Sequence, residues 1–251
     1  MAAILSQWNW QLLDLFDQPV PGGWPRTGAK GFVARAGDTR VVSIAGAEPN
    51  SIGTWFQNFD FPADGDGAHR GFQAGARIAL SAVSDILAAR NEPIFLTGHN
   101  LGGTVAAMTA MLMGESLLNR ILGIYTIGMP RSGNARYRDA YNPRLGMRTF
   151  RLVHGDDLVP KVPPRSLKFR HVGALLACER RGRFEGQPAI PPDEAASLEE
   201  LRQIALSPFG SNQAPDLPAR ERAAVLAAAR LSEPIRDHLS DCYLRALGAL
   251  T

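Results

Sequence analysis

Between residues 94 and 113 a short apolar run, Ile94-Phe95-Leu96-Thr97, passes through Gly98-His99-Asn100-Leu101-Gly102-Gly103 into a stretch rich in alanine and methionine. No other part of the chain constrains the fold as tightly. The apolar run has the length of a strand, and its lack of alternation suits a parallel strand. The small residues from Gly102 to Met113 read as a helix. Glycines at 98 and 102 have no side chains, so a strand and a helix can approach closely around the single residue between them. The sequence therefore predicts a sharp strand-to-helix turn with residue 100 at its tip.

The flanking segments extend this unit. Phe32-Val33-Ala34 and Val41-Val42-Ser43-Ile44 flank Gly37-Asp38, which predicts a β-hairpin within Gly31 to Gly46. Phe72, Ala76, Leu80, Val83 and Leu87 recur at steps of three and four, so Ala68 to Arg90 reads as a helix ended by Asn91 and Pro93. Ile121 to Ile127 and Thr149 to Val153 read as further strands. Strands alternating with helices predict an α/β class fold with a mostly parallel sheet and helices on its faces. Trp8 to Pro25 reads as an arm packed on the core. Beyond Arg170 prolines 188, 191 and 192 break the chain, and stretches near Asp193 to Leu206 and Pro218 to Leu231 read as helical. The expectation is one domain over 1–251 with a helical insertion or cap at 174–232. Arg180, Arg181 and Arg183 form a short basic run that reads as a solvated loop.

Composition removes several functional classes. A chain of 251 residues with 45% hydrophobic and 20% charged residues can bury a sizeable core. Its 27 Lys+Arg against 24 Asp+Glu leave a net charge of +3, which does not imply nucleic acid. No apolar run is long enough to span a bilayer, so no integral membrane segment is expected. Two cysteines exclude a disulfide scaffold, and the absence of Cys-x-x-Cys or His-x-x-x-His predicts no metal and no cofactor. Met1 to Asp17 lacks a basic n-region and carries Asp14 and Asp17. That pattern predicts a cytoplasmic protein, or one exported without a Sec signal peptide. The oligomeric state is left open.

The turn itself has the shape of a nucleophile elbow, G-x-S-x-G, in which the following backbone N–H, here of Leu101, points into an oxyanion hole. The central residue is Asn100 instead of serine. A carboxamide has no hydroxyl for a histidine to deprotonate, and its nitrogen lone pair is delocalised, so it is not a nucleophile. Asparagine does tolerate left-handed backbone better than most residues. The geometry is kept and the attacking atom is lost.

From Gly31 to Val172, and again near His238, the chain resembles the class 3 lipase family of the α/β-hydrolase fold. The segments that carry the likeness stand in family order. Val41 to Ala47 resembles the strand that ends in an Arg-Gly-Thr/Ser oxyanion turn, here Ala45-Gly46-Ala47. Trp55 and Asn58 resemble a Trp-x-x-Asn after a short lid, here Glu48 to Thr54. His69-Arg70-Gly71-Phe72 resembles His-x-Gly-Phe, and Gly98 to Gly103 resembles Gly-His-Ser-Leu-Gly-Gly. Gly128-Met129-Pro130-Arg131-Ser132-Gly133 resembles Gly-x-Pro-Arg-x-Gly. Asp157-Leu158-Val159-Pro160 resembles the Asp-x-Val-Pro loop that supplies a triad acid, and Asp237-His238 with Tyr243 resembles a late Asp-His context.

The resemblance implies hydrolysis of a carboxylic ester, with an acyl ester or lipid as substrate. It implies Asn100 at the nucleophile position, Asp157 as acid, His238 as base, and the N–H groups of Ala47 and Leu101 as the oxyanion hole. Asp156 is the rival acid and His171 the rival base. Because Asn100 replaces the serine, the chain as written is expected to be an inactivated version of such an enzyme. The alternative is a natural pseudoenzyme that binds acyl lipid or a protein partner.

Overall fold

The computed structural model describes residues 10–18, 29–46, 65–192 and 236–250. Strands β1 (Trp10–Gln18), β2 (Ala29–Ala36) and β3 (Thr39–Ile44) form an antiparallel meander. The expected hairpin turns at Gly37, whose φ of 58° is the left-handed conformation that such a two-residue loop requires. Helix α1 (Arg70–Ala88) follows, then β4 (Ile94–His99), α2 (Leu101–Leu112), the single turn α3 (Glu115–Leu118) and β5 (Ile121–Ile127). A two-residue ladder joins β6 (Gly133–Asn134), just before α4 (Ala135–Leu145), to β8 (Phe169–Arg170). The remaining elements are β7 (Thr149–His154), β9 (Ala174–Cys178) and α5 (Ser240–Ala246).

The main sheet runs β1-β2-β3-β4-β5-β7-β9, and every pairing from β3 onward is parallel. Parallel neighbours must be joined by crossovers, and α1, α2 and α4 lie in those connections. In α1 the periodic stripe is the buried one: Phe72, Ala76, Val83 and Leu87 are buried and Leu80 packs against the core at its margin. In α2 every residue from Leu101 to Ala110 is buried. A helix that small can sit directly on the sheet, and Met108 and Met113 simply fill its core.

Two boundaries read from sequence need correction. The arm expected at Trp8 to Pro25 contains β1, which pairs along the full length of β2; its Trp10, Leu12 and Phe16 alternate with Gln11, Leu13 and Leu15, a weak pattern that hides a strand. The helical insertion expected from residue 174 begins as β9, because Ala174 to Cys178 adds a parallel strand beside β7. The rest of that expected insertion from residue 193, the lid at 48–54, Trp8, Trp24, Trp55 and Asn58 lie outside the described residues. Among the described residues no helix is long and apolar enough to cross a membrane.

The packing of β4 against α2 depends on hydrogen-sized side chains. A Cβ on Gly102 would overlap the backbone carbonyl of Ile44 in β3, and one on Gly98 would overlap the backbone of Gly102. Neither neighbour can rotate away. Gly102→Ala is therefore expected to destabilise the protein by about 3 kcal/mol in urea unfolding. Gly114→Ala, where an added Cβ meets nothing within 4 Å, is expected to shift stability by less than about 0.5 kcal/mol. Equal effects of the two substitutions would contradict this account of the turn.

Candidate active site

Asn100 ends β4 and caps α2 with φ 57° and ψ −129°. A non-glycine residue held there costs about 1–3 kcal/mol, which the surroundings must offset. They do so by closing the backbone: the Asn100 N–H donates to Ile127 O at 2.8 Å, and its carbonyl accepts from Gly103 N–H at 3.0 Å. The side chain is fully buried, and Oδ1 accepts the Leu101 N–H at 2.7 Å. The amide expected to face an oxyanion is thus occupied by the asparagine's own carbonyl. Nδ2 has no hydrogen-bond partner among the described residues. Ala47, the other expected oxyanion donor, lies outside the described residues.

Asp157 follows β7 and is fully buried. Its carboxylate accepts from His238 Nδ1, at 3.0 Å to Oδ1 and 2.9 Å to Oδ2. It also accepts from the Tyr243 hydroxyl at 2.6 Å and from the Val159 N–H at 2.9 Å. With Nδ1–H directed at a carboxylate, His238 carries its lone pair on Nε2, which is buried and unpartnered among the described residues. Gly128, at the end of β5 with φ 57°, makes room for the pair: a Cβ there would lie 2.7 Å from Asp157 Oδ2 and 2.9 Å from His238 Nδ1.

The rivals fall elsewhere. Asp156 donates its N–H to Asp237 Oδ2 at 2.8 Å, and its own side chain is mostly exposed beside Arg180. His171 shares a hydrogen bond with the Pro160 carbonyl at 2.7 Å, and burial, with Arg151 and Arg131 nearby, holds its pKa well below the usual value. It supports the acid loop from outside the Asp157–His238 pair. His69 caps α1: Nδ1 accepts from Phe72 N–H at 3.4 Å and the two rings stack at 4.0 Å. Both cysteines are free, and burial pushes Cys178 up to about 11, so neither supplies a thiolate in place of the missing hydroxyl.

Sequence reasoning missed three supports. Arg131 donates to the Pro163 carbonyl at 2.8 Å and also binds the Lys161 carbonyl, which explains the arginine of the Gly128 to Gly133 segment: it pins the loop after Asp157. Asp237, buried, accepts from Asp156 N–H and from Arg180 Nε at 3.0 Å, so the residues preceding the acid and the base are clamped to each other. His99 donates to the His238 carbonyl at 2.9 Å and stacks on its ring at 4.6 Å. Burial, with His238 nearby, lowers the His99 pKa to about 4, so its ring is neutral at pH 7.

Known proteins share this arrangement of segments. The family described as Lipase (class 3) matches residues 41–167, half of the chain. The secreted mono- and diacylglycerol lipase 1 of Fusarium solani is 33% identical over 159 residues, covering 58% of this chain and 46% of that protein. A lipase of Rhizomucor miehei is 27% identical over 156 residues, covering 57% of this chain and 43% of that protein. The chain thus spans less than half the length of these two relatives. In three dimensions lipase II from Rhizopus niveus superposes with a TM-score of 0.62 at 23% identity, over 81% of this chain and 82% of that one. The likeness establishes an α/β-hydrolase fold.

The Fusarium relative is secreted by name, which overturns the expectation of a cytoplasmic protein. The charge pattern behind that expectation has a different cause. Asp14 and Asp17 belong to β1 of the sheet, so they report on the fold and carry no information about compartment.

Two outcomes follow from the site's electrostatics. Tyr243→Phe is expected to cost about 2 kcal/mol, because it removes a donor to Asp157 and the acceptor of the His154 N–H at 3.2 Å. The folded His99 resists a proton that the unfolded chain accepts near 6.5, so its contribution is present above that pH and is lost as pH falls toward 4. His171 acts in the same direction. Urea midpoints are expected to drop between pH 6.5 and 4.5, less steeply in His99→Gln. A flat profile would contradict the burial of these rings.

Proposed function

The chain belongs to the class 3 lipase family, and on that premise we propose that its site is built to hydrolyse a carboxylic ester of a lipid, and that Asn100 leaves this chain unable to begin the reaction. The observation that carries the reading is the buried Asp157–His238 pair, its Nε2 unengaged, beside an elbow that is strained and closed around an amide. With a hydroxyl at position 100, His238 Nε2 would take its proton as the oxygen attacks the ester carbonyl, and Asp157 would hold the imidazolium that forms. The Leu101 N–H would then hold the developing oxyanion.

Asparagine removes two of these elements at once. It offers no proton whose loss yields a nucleophile, and its Oδ1 takes the Leu101 N–H. The buried Asp157–His238 pair and the close glycine turn around residue 100 favour an inactivated hydrolase whose deficit is one functional group. The same hydrogen bond also supports the second reading, a natural pseudoenzyme, since it caps α2 and satisfies a buried amide without any substrate. The substrate class proposed is an acylglycerol-type ester, by analogy with the mono- and diacylglycerol lipase of Fusarium solani, and that secreted relative supports export for this chain as well.

The test is Asn100→Ser. The chain as written is expected to turn over p-nitrophenyl butyrate and octanoate at a rate near background. Asn100→Ser should raise turnover by a factor on the order of 10⁴–10⁶. In that background His238→Ala should return it to background, while Asp156→Asn should leave most of it. A folded Asn100→Ser protein with no turnover at any acyl length would favour the pseudoenzyme reading, and robust turnover by the unaltered chain would overturn both.

A further inference from the structure

The basic run after β9 is exposed, as expected of a solvated loop, and it also borders a cleft. Arg180, Arg181 and Arg183 fold over a cleft of about 530 Å³, and Arg236 and Arg245 close it from the base loop and from α5. Five arginines from three separate parts of the chain thus line one cleft. Two are already engaged: Arg180 binds Asp237 at 3.0 Å, and Arg245 pairs with Asp241 at 3.4 Å. Arg181, Arg183 and Arg236 are exposed, and none of their side chains makes a hydrogen bond or ion pair among the described residues.

His154, buried in the wall of the cleft, holds the turn in place: its Nε2 donates to the Arg180 carbonyl at 2.9 Å, and its Nδ1 lies 3.8 Å from the Asp237 carboxylate. A concave site with three surplus positive charges is arranged for an anion. Its chemistry favours phosphate over carboxylate. A carboxylate has two oxygens and one charge, which one guanidinium fork saturates, whereas a phosphate offers more acceptor oxygens and up to two charges to several forks. Asp237, its carboxylate already paired with Arg180, also lines the cleft with Gly182, Cys242 and Ala246, and the cleft is larger than a phosphate group alone, so an organic substituent can be accommodated.

We propose that this cleft binds a phosphate-bearing group, held by Arg181, Arg183 and Arg236 with Arg180 behind them. The group comes either from a free phosphate ester or from a phospholipid headgroup. Neither Asn100 nor the acid–base pair takes part, so the site stands whether or not the chain is a hydrolase. Its position next to Asp237, which clamps the loops of Asp157 and His238, puts the bound group one residue from each of them along the chain.

The test uses the full chain in two arms. Calorimetric titration with inorganic phosphate and with glycerol 3-phosphate reads the free anion, and co-sedimentation with phosphatidylcholine vesicles, with and without phosphatidic acid, reads the headgroup. Saturable binding is expected in at least one arm, with the vesicle arm requiring phosphatidic acid. Arg181→Ala/Arg236→Ala should weaken it at least about tenfold, the loss expected for a charge-assisted hydrogen bond, and Arg181→Lys/Arg236→Lys should weaken it less. Thermal melts check that both variants fold; if the alanine pair does not, Arg181→Gln alone provides the comparison. Binding to phosphate and glycerol 3-phosphate only assigns the site to soluble esters, and binding to vesicles only assigns it to a lipid headgroup. No saturable binding in either arm, or binding unchanged by loss of the arginines, would overturn the proposal.

Discussion

The carboxylate of Asp157 is a charge with no access to water, and the C-terminal part of the fold is organised around keeping it there. An isolated buried carboxylate is too costly to persist; one that accepts several hydrogen bonds is not. Its donors are the Val159 N–H of its own loop, His238 Nδ1 and the Tyr243 hydroxyl. The last two come from a segment some eighty residues further along, so satisfying this charge ties residues 238–243 to the end of β7. Asp237 repeats the arrangement one position back, by accepting from Asp156 N–H and Arg180. Two adjacent carboxylate-centred contacts fix both the distance and the rotation of the base loop against the acid loop. Losing either partner of such a contact leaves a buried charge uncompensated, which is reason enough for the pair to be assembled.

At the other side of the site the constraint is steric. Gly98 and Gly102 bring β4 and α2 together so closely that residue 100 has to adopt positive φ. Strain of this kind is tolerated where it presents a side chain for chemistry. Here it presents a carboxamide, which turns its oxygen back onto the first amide of the helix. The elbow thus keeps its conformational cost, while its own side chain takes up the Leu101 N–H. A ligand that used the Leu101 N–H would first have to displace that oxygen.

The parts of this arrangement that local chemistry dictates were legible in the sequence. Gly37-Asp38 between alternating strands specifies a turn, and the glycines around Asn100 specify a close strand-to-helix approach, with no knowledge of the rest of the molecule. Asp157 and His238 were reachable through family resemblance, and the structure brings their side chains together. What long-range contact decides was not legible. β1 looks irregular until β2 supplies its partner. Asp237 and Tyr243 stood in a segment marked by resemblance, but only the folded chain shows them buried against the acid loop, with Arg180 bound to Asp237. That Asn100 would occupy the Leu101 amide follows from a rotamer, which no spacing encodes. The basic run at 180–183 is solvated as its sequence suggested, but the arginines that border the same cleft, at 236 and 245, are more than fifty residues away and could not be read with it.

The reading proposed for this site is that an oxygen at position 100 would supply the nucleophile that the Asp157–His238 pair is placed to activate. Reaction with a fluorophosphonate, followed by intact mass and peptide mapping, tests it most directly, because covalent capture requires an activated nucleophile in the elbow and needs no guess about the acyl substrate. The account predicts no adduct on the chain as written and a single adduct on residue 100 of Asn100→Ser, lost again on His238→Ala. An adduct on another residue of the unaltered chain, or a folded Asn100→Ser protein that remains unlabelled, would contradict it.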